Sequence, residues 1–451
     1  MMDRSSGGFD SVQAAWAPFI ADVMAGAYPS VVEERARFAI LDLIACCVSG
    51  GRDERAAKIV RGLSDAHGCV VIGTNHTASP PSAALANGVT AAWGQLDEAN
   101  LAAHQHVSIH VVPPALSLAE WSNASLGSFV SAVIAGYEIS ARVGAGTTLR
   151  EGVHSHGVLG AMGGAISGSL VLGPSVPRAL EAAYLVGNTL QASSVEALGA
   201  GASVFHAYAG LSAAKAVNAA QLAHAGVRSP AAGILRSLGQ VVGSSVAIDT
   251  LHDRLGERFL LSEGLVKTHP YCVDVAPAVI ALERIMDEVT LTPERVKAVS
   301  VLASREALEF PVYVPRTPES ARFSLPYLLA ARIINGPITE DTFAPPVIKD
   351  SEILHLARRV SFEEAVSGVD VMSATVTVET SDTGTISESG SMAKATPLGE
   401  VQSIIPEKAI RLMTPTLGSK RARQIVDRVT TGDGSSPLRE LTRRLTVNGQ
   451  A

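Results

Sequence analysis

Residues 81–120 read PSAALANGVTAAWGQLDEANLAAHQHVSIHVVPPALSLAE. The stretch begins as a helix of small residues, breaks at a polar loop rich in histidine, and resumes as a helix around Pro113 and Pro114. Loops held between rigid elements commonly carry binding and catalytic groups. The stretch therefore predicts a helical scaffold that presents a histidine-bearing loop.

That loop offers Asp97 together with His104, His106 and His110. A carboxylate beside an imidazole orients the ring and raises its basicity, so Asp97 and a histidine are candidates for an acid–base pair. The spacing H-x-H-x-x-x-H also supplies three imidazoles that could hold a metal ion. A solvated loop with capping side chains is the third alternative.

The composition indicates a large buried core and excludes some classes of protein. Of the 451 residues, 47% are hydrophobic, 18% charged and only 4% aromatic, so small aliphatic side chains must fill the interior. The net charge of -7, without a basic block, argues against nucleic-acid binding. The four cysteines form no C-x-x-C pair, and the chain start lacks the pattern of a signal peptide. These features predict a cytoplasmic protein.

Residues 1–265 predict a large helical domain, with helical spacing at 127–143 and 178–192. The uncharged stretch 157–177 holds Gly160, Gly164 and Gly168 on one helix face, where a second helix can pack closely. Its high Gly and Ser content favours a buried helix of a soluble protein over a membrane span, and we expect no membrane association.

The pattern changes near residue 266. Residues 266–400 predict a smaller α+β domain, with a strand at 296–304 and a hairpin formed by 369–382 and 383–390. Residues 401–451 predict charged helices that rejoin the first domain. The predicted fold class is thus mostly α with a smaller α+β domain.

Two further polar clusters lie in the helical part. His154 and His156 directly precede the glycine-rich helix, where free N–H groups and the helix dipole would favour a neutral imidazole or a bound carboxylate. A simple helix cap explains them equally well. His206 and Tyr208 are acid–base candidates in an apolar stretch, where such residues are more often part of the core.

Candidate carboxylate-binding groups follow at the predicted domain boundary. Lys267 and His269 are the first pair, and Arg322 and Ser324 are the second. Cys272 is a weak candidate for a nucleophile, because a buried cysteine is usually inert.

Six stretches, in this order, resemble motifs of the MmgE/PrpD family, which includes 2-methylcitrate dehydratase and cis-aconitate decarboxylase. Residues 83–97 look like AALxNGxxAHxLDxDD, and the segment from His106 to PALSLAE is similar to HPSxxxxPAxLALAE. GYEISARVG (136–144) resembles GYExxxRxG, and the segment from His154 resembles FHxTxxxGxxGAAxAAxxLLGL. KTHPYC (267–272) and RFSLPY (322–327) are similar to KxYPxC and QFSxPY.

The resemblance covers nearly the whole chain and implies a helical domain with an α+β lid-type domain. It also implies a homodimeric enzyme without a cofactor or metal that acts on a small polycarboxylic acid. By position, it places Asp97, His106 and His154 in the active site.

The chain departs from that pattern at several positions. The family lysine and histidine of K-x-x-H-x-G correspond to Phe205 and Tyr208, and a later family histidine corresponds to Ala276. We therefore expect Tyr208 or His206 to fill the vacated role. The Asp-Asp pair that ends the family motif AALxNGxxAHxLDxDD has become Glu98-Ala99.

The resulting hypothesis is a lyase or isomerase that removes a proton next to a carboxylate. His106 and His154 would be the acid–base pair, and Asp97 would orient one of them. An epimerase, or a pathway-specific isomerase, is the alternative to a dehydratase or decarboxylase. A non-catalytic binding protein and a metal-dependent hydrolase that uses the loop histidines are the remaining hypotheses.

Overall fold

The computed structural model describes residues 6–65, 68–309, 312–365 and 370–447. In chain order the elements are α1 (Ser6–Met24), α2 (Ser30–Gly50), α3 (Glu54–Leu63), β1 (Cys69–Val70), β2 (Thr77–Ala78), α4 (Pro80–Trp93), α5 (Ser108–Ser122), α6 (Leu126–Gly146), β3 (Thr147–Leu149), β4 (Val153–His154), α7 (Ala161–Leu172), α8 (Val176–Gly187), β5 (Ser193–Ser194), α9 (Glu196–Gly199), α10 (Val204–His224), α11 (Gly233–Arg236), β6 (Gly243–Val246), α12 (Ala276–Glu288), β7 (Val296–Ala303), α13 (Pro318–Phe323), α14 (Leu325–Asn335), α15 (Ser351–Ala357), β8 (Val360–Glu364), β9 (Ser373–Thr380), β10 (Thr385–Ser391), α16 (Leu398–Leu417), α17 (Ser419–Thr431) and α18 (Arg439–Thr442).

The chain divides into two compact units. The first comprises residues 1–194, 206–266 and 395–451, and the second comprises residues 195–205 and 267–394. The first unit is helical and the second is α+β, which confirms the predicted fold class. Residues 195–205 lie in the second unit, not in the helical domain to which the sequence assigned them. The reason is local: Thr317 donates its hydroxyl to the Gly201 carbonyl at 2.9 Å, and Phe205 packs edge-on against Phe323.

Close helix packing builds the core of the helical unit. Gly136 of α6 and Gly163 of α7 face each other, and a Cβ atom on either would approach the other's carbonyl oxygen to under 3.0 Å. On its second face α7 packs against α5, where Gly164 and Gly168 meet the α5 backbone and Leu118. This is the approach that the glycine spacing predicted. These contacts fix α5, and with it the loop that precedes α5.

The α+β unit contains a four-stranded sheet in the order β10-β9-β7-β8. β7 pairs parallel with β8 and antiparallel with β9, and β9 and β10 form the predicted hairpin. Alternate residues of β9 are buried, as expected for a sheet with one face covered. α12 packs on this sheet.

The end of α8 differs from the prediction. α8 ends at Gly187 instead of near 192, because the Asn188 side chain donates to the Tyr184 carbonyl and closes the last turn. α10 begins at Val204, so that His206 and Tyr208 lie in its first two turns. Within the described part of the chain, no helix has the length and apolar content that crossing a membrane requires.

Candidate active site

Asp97 and His106 form a hydrogen-bonded pair in the loop between α4 and α5. His106 Nδ1 lies 2.8 Å from Asp97 Oδ2, and the two side chains are 16% and 1% exposed. Because the carboxylate can only accept, Nδ1 carries the proton and Nε2 keeps its lone pair. The pair therefore presents a basic nitrogen whose conjugate acid the carboxylate would stabilise.

Glu98, which sequence reasoning did not select, holds this loop against α5. Its Oε1 accepts from the backbone N–H of Ser108 at 3.0 Å and from the Ser108 hydroxyl at 2.8 Å. Its Oε2 accepts from the Tyr137 hydroxyl at 2.9 Å. A carboxylate at the first turn of α5 satisfies a backbone N–H that the helix leaves unpaired. The loop is thereby anchored immediately after His106.

His154 shows the opposite tautomer. Its Nδ1 accepts the backbone N–H of His156 at 3.0 Å, so the proton of the neutral ring is on Nε2. Burial, with His106 as a smaller cause, lowers the pKa of His154 to about 3. The ring is therefore neutral at pH 7. His154 belongs to β4, whose residues pair with Ser193 and Ser194 of β5.

The sequence attributed a neutral ring here to the N-terminus of the glycine-rich helix, and that reason is wrong. α7 begins only at Ala161, and a two-residue strand carries His154. Burial is the main cause of the shift.

Two more imidazoles complete a cluster of four: His106, His110, His154 and His156, called here the histidine cluster. The buried His156 ring is edge-on to three neighbours, with centroid distances of 4.6 Å to His106, 4.7 Å to His154 and 5.8 Å to His110. The sequence left a helix cap and a carboxylate-binding site as equal interpretations of His156, and it did not place His156 in the acid–base pair. The spacing His154-Ser155-His156 was the signal available in the sequence. The chain bends at Ser155, and the two rings lie close together as a result.

His110 is fully buried in α5. Burial, followed by the charge of His106, lowers the pKa of His110 to about 3. Its ring packs against Gly160, where a Cβ atom would approach three His110 side-chain atoms to under 3.0 Å. Gly160 is thus needed to make room for this imidazole.

The three loop histidines considered for a metal ion do not come together. His104 is exposed and has a left-handed backbone with a φ of 51°, whereas His110 is buried. Across the residues that the structure describes, no group of three or more His, Cys, Asp or Glu side chains is arranged to hold a metal ion.

Tyr208 and His206 have different surroundings. The Tyr208 hydroxyl donates to the Ser194 carbonyl at 3.1 Å, on the strand that pairs with β4. His206 is buried, donates Nδ1–H to the Ala92 carbonyl at 3.1 Å and packs its ring on Trp93 at 4.5 Å. Tyr208 therefore lies beside the strand pair that carries His154, while these His206 contacts are those of a packing residue.

The candidate carboxylate binders of the α+β unit make structural contacts there. Ser324 caps α14 by accepting the N–H of Tyr327 at 3.2 Å, and its hydroxyl donates to the Val312 carbonyl. Because the Ser324 hydroxyl already makes these two hydrogen bonds, its predicted role in carboxylate binding is disfavoured.

Arg322 donates to the Pro270 carbonyl, and its guanidinium stacks over the Phe343 ring at 4.2 Å. His269 stacks on Tyr271 at 4.2 Å, and Lys267 is fully buried. The predicted substrate contacts of Lys267, His269 and Arg322 stay predictions.

Two positions that depart from the family pattern are filled by structural residues. Phe205 is buried against Phe323, and Ala276 is buried at the start of α12.

Burial raises the pKa of the Cys272 thiol well above its usual value, with Asp274 as a second cause, which disfavours a nucleophilic thiolate.

The chain is similar to known proteins over most of its length. The chain matches the family models of the MmgE/PrpD N-terminal domain over residues 14–240 and of the MmgE/PrpD C-terminal domain over residues 269–431. It is 24% identical over 470 aligned residues to a cis-aconitate decarboxylase-like protein, oryM, of Aspergillus oryzae, with 96% of each chain covered. It is 30% identical over 224 residues to a cis-aconitate decarboxylase of Aspergillus terreus, which covers 47% of this chain and 45% of that protein.

Proposed function

Because the chain belongs to the MmgE/PrpD family, we propose that it is a lyase or isomerase that removes an α-proton from a small polycarboxylic acid. The observation that carries the proposal is the pair of opposite tautomers in the histidine cluster. His106 offers a lone pair at Nε2, and His154 has its proton at Nε2. One imidazole can therefore accept a proton while the other donates a hydrogen bond.

In the proposed reaction, His106 Nε2 takes the proton from the carbon next to a carboxylate. The C–H bond breaks, an N–H bond forms, and the electron pair moves into the carboxylate as an enolate. Asp97 stabilises the resulting imidazolium through Nδ1–H. A neutral Nε2–H of His154 donates to the developing negative charge, and fixed donors of this kind are worth most in a water-poor site.

The fate of the enolate distinguishes a dehydratase from an epimerase. Loss of a β-hydroxyl that takes up a proton gives a dehydratase, and return of a proton on the opposite face gives an epimerase. A decarboxylase would instead release CO2 and protonate the carbanion that remains. The names of the fungal relatives favour decarboxylation as the first activity to assay. Phe205 and Ala276, in place of two polar family residues, favour a change in the reaction or in its substrate.

The test is deuterium exchange from D2O into a panel of dicarboxylates and tricarboxylates, including cis-aconitate, followed by NMR and by CO2 release. We expect exchange or turnover with one compound. His106→Gln should lower the rate by about 10²–10⁴-fold, because it removes the base. His154→Gln should also lower it, whereas His104→Gln should not, because His104 is exposed and outside the cluster.

Unchanged exchange in both cluster variants would contradict the proposed pair. Binding of a carboxylate without exchange or conversion would favour the non-catalytic alternative. A carboxylate substrate, a homodimeric assembly and a cytoplasmic location belong to the proposal, and sedimentation of the purified protein tests the dimer.

A further inference from the structure

A buried lysine lies directly behind the loop that carries Asp97 and His106. Lys408 belongs to α16, and its side chain is 3% exposed. Its Nζ donates to the Leu96 carbonyl at 2.6 Å and lies 2.6 Å from Asp42 Oδ1 of α2. Because Leu96 immediately precedes Asp97, one ammonium group ties the backbone of this loop to two packed helices.

The surrounding charges keep the ammonium group protonated. Burial alone would lower the pKa of Lys408, but Asp42, Cys46 and Asp97 outweigh burial and raise it. Burial raises the pKa of the Asp42 carboxyl, and Lys408 counteracts that shift. A protonated Lys408 can face Asp42 and still donate to the Leu96 carbonyl, because an ammonium group has three donors.

We propose that Lys408 is a positioning residue for the Asp97–His106 pair, acting through the Leu96 carbonyl. The proposal rests on the function proposed for that pair. The hydrogen bond fixes the backbone next to Asp97, so that the carboxylate meets His106 Nδ1 at 2.8 Å. A displacement of about 1 Å in such a group can cost roughly 10²-fold in rate, which makes an anchor at this backbone position consequential.

An ion pair that served only stability would not need this carbonyl contact. Buried ion pairs are weak contributors to stability, because desolvation offsets most of the attraction. In addition to its ion pair, the Lys408 ammonium donates a hydrogen bond to the Leu96 carbonyl, and Leu96 is adjacent to the proposed catalytic carboxylate.

The charges around the pair determine how the test must be designed. Among the described residues, the titratable groups near His106 include Asp97, His110, His154 and His156. Those that interact with Asp97 include Asp42, Cys46, Cys47, His110 and Lys408, besides His106. Removing Lys408 alone would leave Asp42 buried without its counter-ion. The double variant Asp42→Asn/Lys408→Met removes both charges, so the net charge behind Asp97 is unchanged and only the anchor is lost.

The measurement is site-resolved modification of His106 by diethyl pyrocarbonate between pH 5 and 8, read by peptide mass spectrometry. The reagent attacks the unprotonated ring nitrogen, so the pH at half-maximal rate reports how well the imidazolium is stabilised. We expect this midpoint to be lower in the double variant than in the wild type, since the carboxylate is no longer held against Nδ1.

The matched control is Glu138→Gln/Arg142→Met, which removes another buried ion pair of the same unit. This control should leave the His106 midpoint at the wild-type value. An unshifted midpoint in Asp42→Asn/Lys408→Met, or an equal shift in the control, would overturn the proposal. No substrate is needed, so this result and that of the deuterium-exchange assay can fail independently.

Discussion

Acidification should destabilise the helical unit through His110, and His110→Leu should remove that effect. Neither ring nitrogen of this buried side chain has a hydrogen-bond partner among the residues that the structure describes. Burial and the charge of His106 lower its pKa to about 3, against about 6.5 in an unfolded chain. Between these two values, the unfolded state binds a proton that the folded state excludes.

The sign and size of the effect follow from this difference. A depressed histidine pKa makes stability fall as the pH falls through 6.5, and the loss continues until about pH 3. Between pH 7 and pH 5 the loss from this one ring is about 2 kcal/mol. His154 adds a loss of the same sign, because burial likewise lowers its pKa to about 3.

Tryptophan fluorescence provides a selective assay. All three tryptophans, Trp16, Trp93 and Trp121, belong to the helical unit, so urea unfolding followed by fluorescence reports on that unit. The free energy of unfolding should fall between pH 7 and pH 5 by about 2 kcal/mol less in His110→Leu than in the wild type. At pH 7 the variant should be close to neutral or more stable, because an apolar side chain of similar volume replaces an imidazole without a partner.

His104→Gln is the control, because His104 is an exposed histidine of the same loop. It should retain the full pH dependence of the wild type. Equal losses of stability in His110→Leu and the wild type would refute the assignment of a neutral, buried His110.

Two further predictions concern packing and thiol chemistry. Gly160→Ala should lower the free energy of unfolding by about 1–3 kcal/mol in urea titration, because its Cβ would overpack the His110 ring. Gly62→Ala in α3, with no heavy atom within 4 Å of its Cβ, should be neutral or stabilising, and equal losses in the two variants would contradict the packing argument. Cys47 and Cys69 should resist a thiol reagent at pH 8 until the protein unfolds, because burial raises the pKa of each to about 12. Rapid modification of the native protein, measured by mass spectrometry, would contradict that expectation.

The local sequence pattern was sufficient to predict secondary structure where hydrophobic residues repeat with one period over many positions. The stretch 127–143 predicts a helix that the structure extends to Leu126–Gly146, and the alternation after residue 369 predicts the β9–β10 hairpin. Both signals come from many residues with one period, so a local irregularity does not erase them. Two-residue strands such as β4 and β5 carry no period, and their pairing was not predicted.

The candidate site was predicted only where its members are close in sequence. Asp97 and His106 are nine residues apart and form the expected pair. His156 reaches His106 and His110 only because α5 and α7 pack together, and 312 residues separate Lys408 from Leu96. Such contacts depend on helix packing, and no local pattern in the sequence encodes them.

The histidine cluster has a consequence for where a proton can be stored. Four charged imidazoles at these distances would repel one another strongly. His110 and His154 do not contribute to this repulsion, because burial holds both rings neutral at pH 7. His106 is the ring that has a carboxylate at its Nδ1. A proton taken from a substrate would therefore be stabilised at His106, and His154 would remain a neutral donor. Burial makes the roles of two chemically identical side chains different, and this asymmetry is what α-proton abstraction requires.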